Sequence, residues 1–224
     1  MIDGYIKTFK TFKPEIIKAF YETIDMMSAA MAITLVLGLI IGFIMFITRS
    51  DGLYKNKVIY FILSGIINII RSVPFILFII VIIPVNRFFL GSGFGVNASK
   101  IPLSLIGLST FARFTEQDLL DVDKNIYETS YALGASSFQY CRYFLLKEAR
   151  SGLILSFTSA SISLLSYSTV MGTIGGGGLG YLAMSEGYYN FNYKLMWIII
   201  IIMIIIVQAI QTIGNMLAKK YDKR

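Results

Sequence analysis

Hydrophobic and polar positions alternate along this chain in long blocks rather than short ones. Residues 26–48, 151–185 and 195–218 carry no charge at all. Residues 58–86 are equally apolar but interrupted once, by Arg71, and residues 101–112 form a weaker run opened by Pro102. A helix needs roughly 20 apolar residues to cross the hydrocarbon of a bilayer. The pattern therefore predicts five spans, at about 26–48, 58–86, 101–121, 151–172 and 195–218. The third must extend past Arg113 to reach that length, so Arg113 and Glu116 are expected to face protein or water. The fold class expected is all-α, a polytopic membrane protein.

Between the third and fourth runs lies NIYETSYALGASSFQYCRYFLLKEA, residues 125–149, within a polar stretch expected at 123–149. Asn125 followed by Glu128 reads as an N-cap with an acid at N3, and Ser136 followed by Gln139 reads as a capping box. Gly134 between them suits the residue just past a helix end, where positive φ costs glycine little. The expected shape is a short helix, a sharp turn at Gly134 and a second helix, standing out of the membrane where a partner can push on it.

Two stretches predict irregular backbone at membrane depth. Pro74 and Pro84 should kink or unwind the second span. Arg71 beside them could meet a substrate carboxylate, pair with a loop acid, or snorkel. The second stretch is GTIGGGGLG, residues 172–180. Such a run is tolerated in a membrane only where it is buried in protein or lines a cavity, so it reads as a re-entrant or broken segment beside a pathway. Gly175, Gly177 and Gly180 fit the letters of a dinucleotide fingerprint, but no strand-turn-helix unit or ribose-binding acid follows, and no Lys-Ser or Lys-Thr makes it a P-loop. The hydroxyl-rich residues 156–169, Ser166 among them, suit interhelical hydrogen bonds or a wetted pathway.

Composition sharpens this picture. The chain is 56% hydrophobic and only 15% charged, with a mean hydropathy of +0.70, far from a soluble domain. In 224 residues the spans leave no room for a nucleotide-binding domain. There is no histidine and one cysteine, Cys141, which argues against a His/Cys metal site and leaves Cys141 without an activating base. The net charge of +7 sits at membrane flanks and at the tail, residues 219–224, so lipid headgroups account for it and nucleic acid is not expected as a partner. The basic tail, the Arg49-to-Lys57 loop and the polar stretch all fall on one side, read as cytoplasmic, with the N-terminus outside. The lysines at 7, 10, 13 and 18 oppose that trend, and residues 1–25 are read as an amphipathic interfacial segment rather than a cleaved signal.

The polar stretch resembles the coupling loop of ABC-importer permeases, E-A-A-x3-G-x9-I-x-L-P. Glu128, Thr129 and Ser130 occupy the first three places, Gly134 the glycine place, and Phe144, Leu146 and Lys147 the last three; Thr-Ser replaces Ala-Ala, Phe replaces Ile and Lys replaces Pro. NIIRSVPFILFIIVIIP (68–84), FARFTEQDLLDVDKNIYETSYALGAS (111–136) and YSTVMGTIGGGGLGYLAMSEGYYNFN (167–192) resemble methionine ABC-importer permeases in order and spacing, and the agreement covers residues 20–215. The resemblance implies a type I importer permease: a homodimer of five-span subunits, two ATP-binding ABC subunits, an extracytoplasmic substrate-binding protein, and a bacterial cytoplasmic membrane. ATP and Mg would sit on the partner ATPase, with no cofactor on this chain and no enzymatic activity of its own. It implies coupling residues Glu128, Thr129, Ser130, Ala132, Gly134, Ala135 and Leu146. Candidate pathway and gating residues are Arg71, Pro74, Ser166, Met171, Gly175, Gly177 and Gly180. The rival readings are an ABC permease for another amino acid or a quaternary ammonium solute, a secondary transporter, which usually needs acids within its spans, and a non-transporting assembly subunit.

Overall fold

The structure, a computed structural model, describes residues 2–222 and contains helices but no strand among them. Helix α1 covers Ile2–Thr11, α2 Lys13–Thr48, α3 Lys57–Ser72, α4 Phe75–Leu90 and α5 Val96–Leu120. The polar stretch forms α6 (Lys124–Ala132), α7 (Ser137–Gln139), a π-helical turn (Tyr140–Leu145) and α8 (Leu146–Glu148). Then come α9 (Arg150–Thr173), α10 (Gly178–Leu182), a second π-helical turn (Ala183–Tyr189) and α11 (Tyr193–Tyr221).

Four long helices, α2, α5, α9 and α11, connect two ends of a bundle. At one end the turn after α2 folds back through Asn56, whose amide donates to the Thr48 carbonyl at 3.0 Å. Here too the Ser151 hydroxyl reaches the Ala218 carbonyl at 3.3 Å. This is the loop end, where the polar stretch sits. At the other end the Gly95 amide donates to the Gly175 carbonyl at 3.1 Å, which makes it the glycine end. The α3–α4 pair also joins the two ends, but bends by 112° at Val73–Pro74. Pro74 removes a backbone donor and drives Val73 to an extended conformation, so the helix stops there. Pro84, expected to interrupt the same span, lies inside α4 without ending it.

Helix α5 is the hub. Buried residues recur all around it, and α2, α3, α4 and α9 pack on its sides. The close approach of α2 uses glycine: a side chain at Gly38 would meet the Phe111 ring at 2.9 Å, and one at Gly42 would strike the Ala112 carbonyl. The Gly38–Gly42 spacing thus serves packing within one chain, as small residues do between helices in lipid. Helix α5 begins at Val96, ahead of the boundary expected at 101, and Pro102 lies inside it rather than at its first turn. The proline leaves the Ala98 carbonyl without its helical partner, and Asn86 of α4 fills the vacancy, its Nδ2 donating at 2.9 Å.

Among the described residues three helices qualify as membrane spans by length and apolar content, α2, α9 and α11, and a fourth if the bent α3–α4 pair is one span. Helix α5 does not qualify. Its faces contact protein rather than lipid, so Ser99, Ser104, Ser109, Thr115 and Glu116 can all be buried there. The N-terminal stretch also departs from expectation. Helix α2 runs unbroken across residues 25 and 26, so the amphipathic stretch and the first apolar run form one rod. Ile16 and Ala19 of that stretch pack against Leu179, Leu182, Leu195 and Ile199, a protein contact rather than a purely lipid one.

Candidate functional site

The loop-end elbow is assembled from short-range interactions. Asp123, not Asn125, is the N-cap of α6: its Oδ1 accepts the Asn125 amide at 2.9 Å. The cap lies two residues upstream of the expected one because the anion suits the helix start and both residues are of the capping type. At the other end Gly134 stands at φ +72°, the Ala135 amide donates to the Ser130 carbonyl at 3.0 Å, and the Gly134 amide to the Tyr131 carbonyl at 2.9 Å. That pair of bonds is a Schellman closure, the reason a glycine stands at this point. The Ser136 hydroxyl then accepts the Gln139 amide at 3.3 Å while Gln139 Oε1 accepts the Ser136 amide at 2.8 Å, completing the expected capping box.

Beneath the elbow Leu119, Val122, Tyr140, Cys141, Leu145 and Ala149 form a buried cluster against Phe43, Phe46 and Leu53 of α2 and its turn. Burial pushes both the Tyr140 hydroxyl and the Cys141 thiol above their usual pKa, so Cys141 stays protonated at neutral pH. Of the residues assigned to coupling, Glu128, Thr129, Ala132 and Gly134 are exposed, Ala135 and Leu146 half-buried, and Ser130 buried, its hydroxyl turned back to the Tyr127 carbonyl. Large side chains crowd the tip: Tyr131, Leu133 and Phe138 are 75%, 71% and 68% exposed. Sequence reasoning named the helix but not these three, although apolar residues in a polar loop were the available signal.

The glycine end is assembled from long-range interactions. Gly175, Gly177 and Gly178 all take positive φ. Their backbone is gripped from other helices: the Gly178 amide donates to Glu22 Oε2 at 2.8 Å, the Leu179 amide to the Thr23 hydroxyl at 2.9 Å, and the Ser99 hydroxyl to the Gly176 carbonyl at 3.2 Å. Glu22, Thr23 and Ser99 were not among the expected site residues, and no local sequence signal marks them.

Residues 34–224 match the family described as the binding-protein-dependent transport system inner membrane component. The chain belongs to that family. Among its relatives, a probable D-methionine transport system permease protein of Vibrio cholerae is 34% identical over 93% of each chain. A methionine import system permease protein of Bacillus subtilis is 34% identical over 81% of this chain and 82% of its own. The fold matches the structure described as inward facing conformations of the MetNI methionine ABC transporter with a TM-score of 0.88 and 32% identity, covering 93% of this chain and 96% of that one. An amino acid ABC transporter crystallised with histidines shares the fold at a TM-score of 0.80 but only 19% identity, covering 95% and 97%.

In this inner membrane component the expected pathway residues do not share one surface. Arg71 and Pro74 are exposed at the α3–α4 bend. Phe75 beside them stacks on Tyr167 at 4.5 Å, which brings the bend next to the exposed Ser166. Gly175 is exposed and Gly177 half-buried. Met171 and Gly180 are interior: Met171 joins a core cluster with Ile79 and Leu103, and a side chain at Gly180 would lie 2.5 Å from Thr169 Cα. Arg113 and Glu116 are ion-paired inside the bundle, and Arg113 also donates to Ser64 Oγ at 2.9 Å and Asn68 Oδ1 at 2.8 Å, pinning α3 to α5. Among the described residues no cluster of His, Cys, Asp and Glu is arranged to hold a metal.

Proposed function

We propose that this chain is the transmembrane subunit of an ATP-driven importer that carries methionine across the bacterial cytoplasmic membrane. The observation that carries the reading is the exposed elbow at Gly134, capped on both sides and standing on a buried cluster, in a chain whose fold follows that of a methionine ABC transporter. The elbow offers Tyr131, Leu133 and Phe138 to a partner, and an ATP-binding subunit that closes on nucleotide supplies the work this chain does not perform. Its differential contact with two states of the permease is what moves the equilibrium between them.

In the assembled importer two copies of the chain each engage one ATP-binding subunit, which holds the ATP and Mg, and a separate extracytoplasmic protein delivers the solute. Helices α2, α5, α9 and α11 and the bent α3–α4 pair make five crossings, with α5 protected by the others from the need to be apolar. The loop end is cytoplasmic and the N-terminus outside, a placement supported by Arg49, Lys55, Lys57, Lys219 and Lys220 at the loop end. Glu128, Thr129, Ala132, Gly134 and Ala135 belong to the docking face, with Ser130 and Leu146 fixing it from beneath. Arg71, Pro74 and Ser166 flank the pathway, with Arg71 as counter-charge for a carboxylate, while Gly175 and Gly177 shape its outer end. Met171 and Gly180 act on gating only through packing.

The methionine reading is supported by the relatives, at 34–36% identity across more than nine-tenths of this chain for three of them. Its test is uptake of labelled methionine by cells with and without the chain, in a strain without other methionine importers, with histidine and glycine betaine as competitors. Methionine uptake that depends on the chain and resists both competitors is expected. Uptake of methionine unchanged by deletion overturns the solute assignment.

A further inference from the structure

A lateral groove of about 530 Å³ opens at the loop-end half of the bundle and belongs to none of the sites above. Met31, Leu35 and Leu39 of α2 form one wall. Ile210, Ile213 and Leu217 of α11 form the other, and Phe111 and Phe157 lie between. Both walls are single stripes at helical spacing, three or four residues apart. Along α9 the groove runs from Arg150 to Ser161, roughly 16 Å at the rise of an α-helix. It is a slot of the length and section of a single hydrocarbon chain.

Its chemistry excludes a zwitterionic solute. Of the three hydroxyl side chains in its lining, Tyr221 stands at the loop end, and Thr158 and Ser161 are spent on their own helix, donating to the Ile154 and Phe157 carbonyls at 2.7 and 2.8 Å. Nothing deep in the slot is left to satisfy an ammonium or carboxylate, and burying either there would be costly. The loop end of the slot is different. Arg150 lies there, its guanidinium 5.1 Å from the Tyr221 ring and anchored by Nε to the Lys147 carbonyl. Lys147, Lys219 and Lys220 are exposed nearby on the same turns. These lysines are set against Glu148, Asp222, Asp118 and Asp121 of the adjoining hollow, whereas Arg150 is the one charged side chain among the residues that line the groove itself. Tyrosine beside a basic residue at the end of an apolar helix is the arrangement found at the headgroup level of a bilayer. The groove opens beside α11, whose most apolar window is only 6% buried within the chain, so its outer face is free to meet lipid.

We infer that this groove holds one acyl chain of an anionic phospholipid, with the lipid's phosphate on Arg150. The inference needs only that the chain lies in a membrane and is independent of which solute is carried. The bound chain fills the space between α2 and α11 and so joins the first and last long helices at the end that carries the elbow.

The test is native mass spectrometry of the full-length chain in mild detergent, titrated with phosphatidylglycerol or with phosphatidylcholine of the same acyl chains. One retained phosphatidylglycerol per chain is expected, in preference to phosphatidylcholine. Arg150→Gln should reduce that preference about fivefold, the effect of one cation near a headgroup. Leu217→Trp fills the slot from an exposed position and should remove the adduct. Ile205→Trp, exposed on another face of α11, should keep it. A retained adduct in Leu217→Trp, or an unchanged lipid preference in Arg150→Gln, overturns the inference. So does disulfide cross-linking of Ile213→Cys between two copies of the chain, which would make the slot an interface between them.

Discussion

The elbow at Gly134 and the glycine run at 175–178 are both breaks in helical backbone, and they are held in opposite ways. The elbow is fixed by partners within five residues: Asp123 with Asn125, Ala135 with Ser130, Ser136 with Gln139. Its tip is exposed, and a side chain added at Gly134 would meet nothing within 4 Å. The glycine run is fixed by Glu22 and Thr23 of α2 and Ser99 of α5, and side chains added at Gly176 or Gly178 would meet Ser99 Oγ at 2.6 Å and Thr23 Oγ1 at 2.7 Å. One break is an independent part carried on the bundle; the other is part of how the bundle closes. A force applied at the elbow can therefore move a rigid piece. A change at the glycine run has to move α2 and α5 with it.

The comparison breaks most visibly at Gly180. Its Cβ position lies 2.5 Å from Thr169 Cα, and the Cβ position of Gly172 lies 2.5 Å from the Gly180 carbonyl carbon, so two backbones touch there. Gly180→Val should cost at the upper end of about 1–3 kcal/mol, the range for overpacking, and show as lost yield of folded protein and a lowered Tm in detergent. A Tm equal to that of the parent would mean the glycine end has slack and is not a packing joint. Thr23→Val is the milder version. It keeps the shape but leaves the Leu179 amide, in a residue that is fully buried, without its acceptor, at about 1–3 kcal/mol. Tm should fall for the whole chain, since α2 and α10 lose one of the two hydrogen bonds that tie them, the Glu22–Gly178 bond remaining. Amide exchange accelerated at residues 178–180 alone, with Tm held, would show the clamp to be local after all.

The same contrast explains what could be read from the sequence. Gly134 and the Ser136–Gln139 box are legible because their partners are neighbours in the chain. The break at Pro74 is legible because proline acts on the residue before it. The N-cap of α6 is misplaced by two residues because Asp123 and Asn125 offer the same chemistry and only the structure shows which accepts. Glu22, Thr23 and Ser99 are illegible, since each reaches a backbone group 77 to 156 residues away. The reach of α5 back to Val96 is hidden for a related reason. Hydropathy reports contact with lipid, and α5 touches little but protein. Pro102 marks a helix start only if the Ala98 carbonyl has no other donor, and Asn86 supplies one.

The smallest expected effect tests the other side of the comparison. A Cβ at Gly134 meets no atom within 4 Å, so the main cost of Gly134→Val is holding a branched residue at φ +72°, about 1–2 kcal/mol of elbow geometry. Gly134→Asn should cost less, because asparagine tolerates that conformation. If the elbow is a part carried on the bundle, both variants insert and melt like the parent. Capture of the ATP-binding subunit then weakens about tenfold for valine, the equivalent of the strain, and little for asparagine. The ordering of the two variants matters more than either value, since steric exclusion from a docking groove would penalise both. A fall in Tm for valine as large as that of Thr23→Val would show that the elbow is joined to the bundle core, and the distinction between a carried part and a closing joint would not stand.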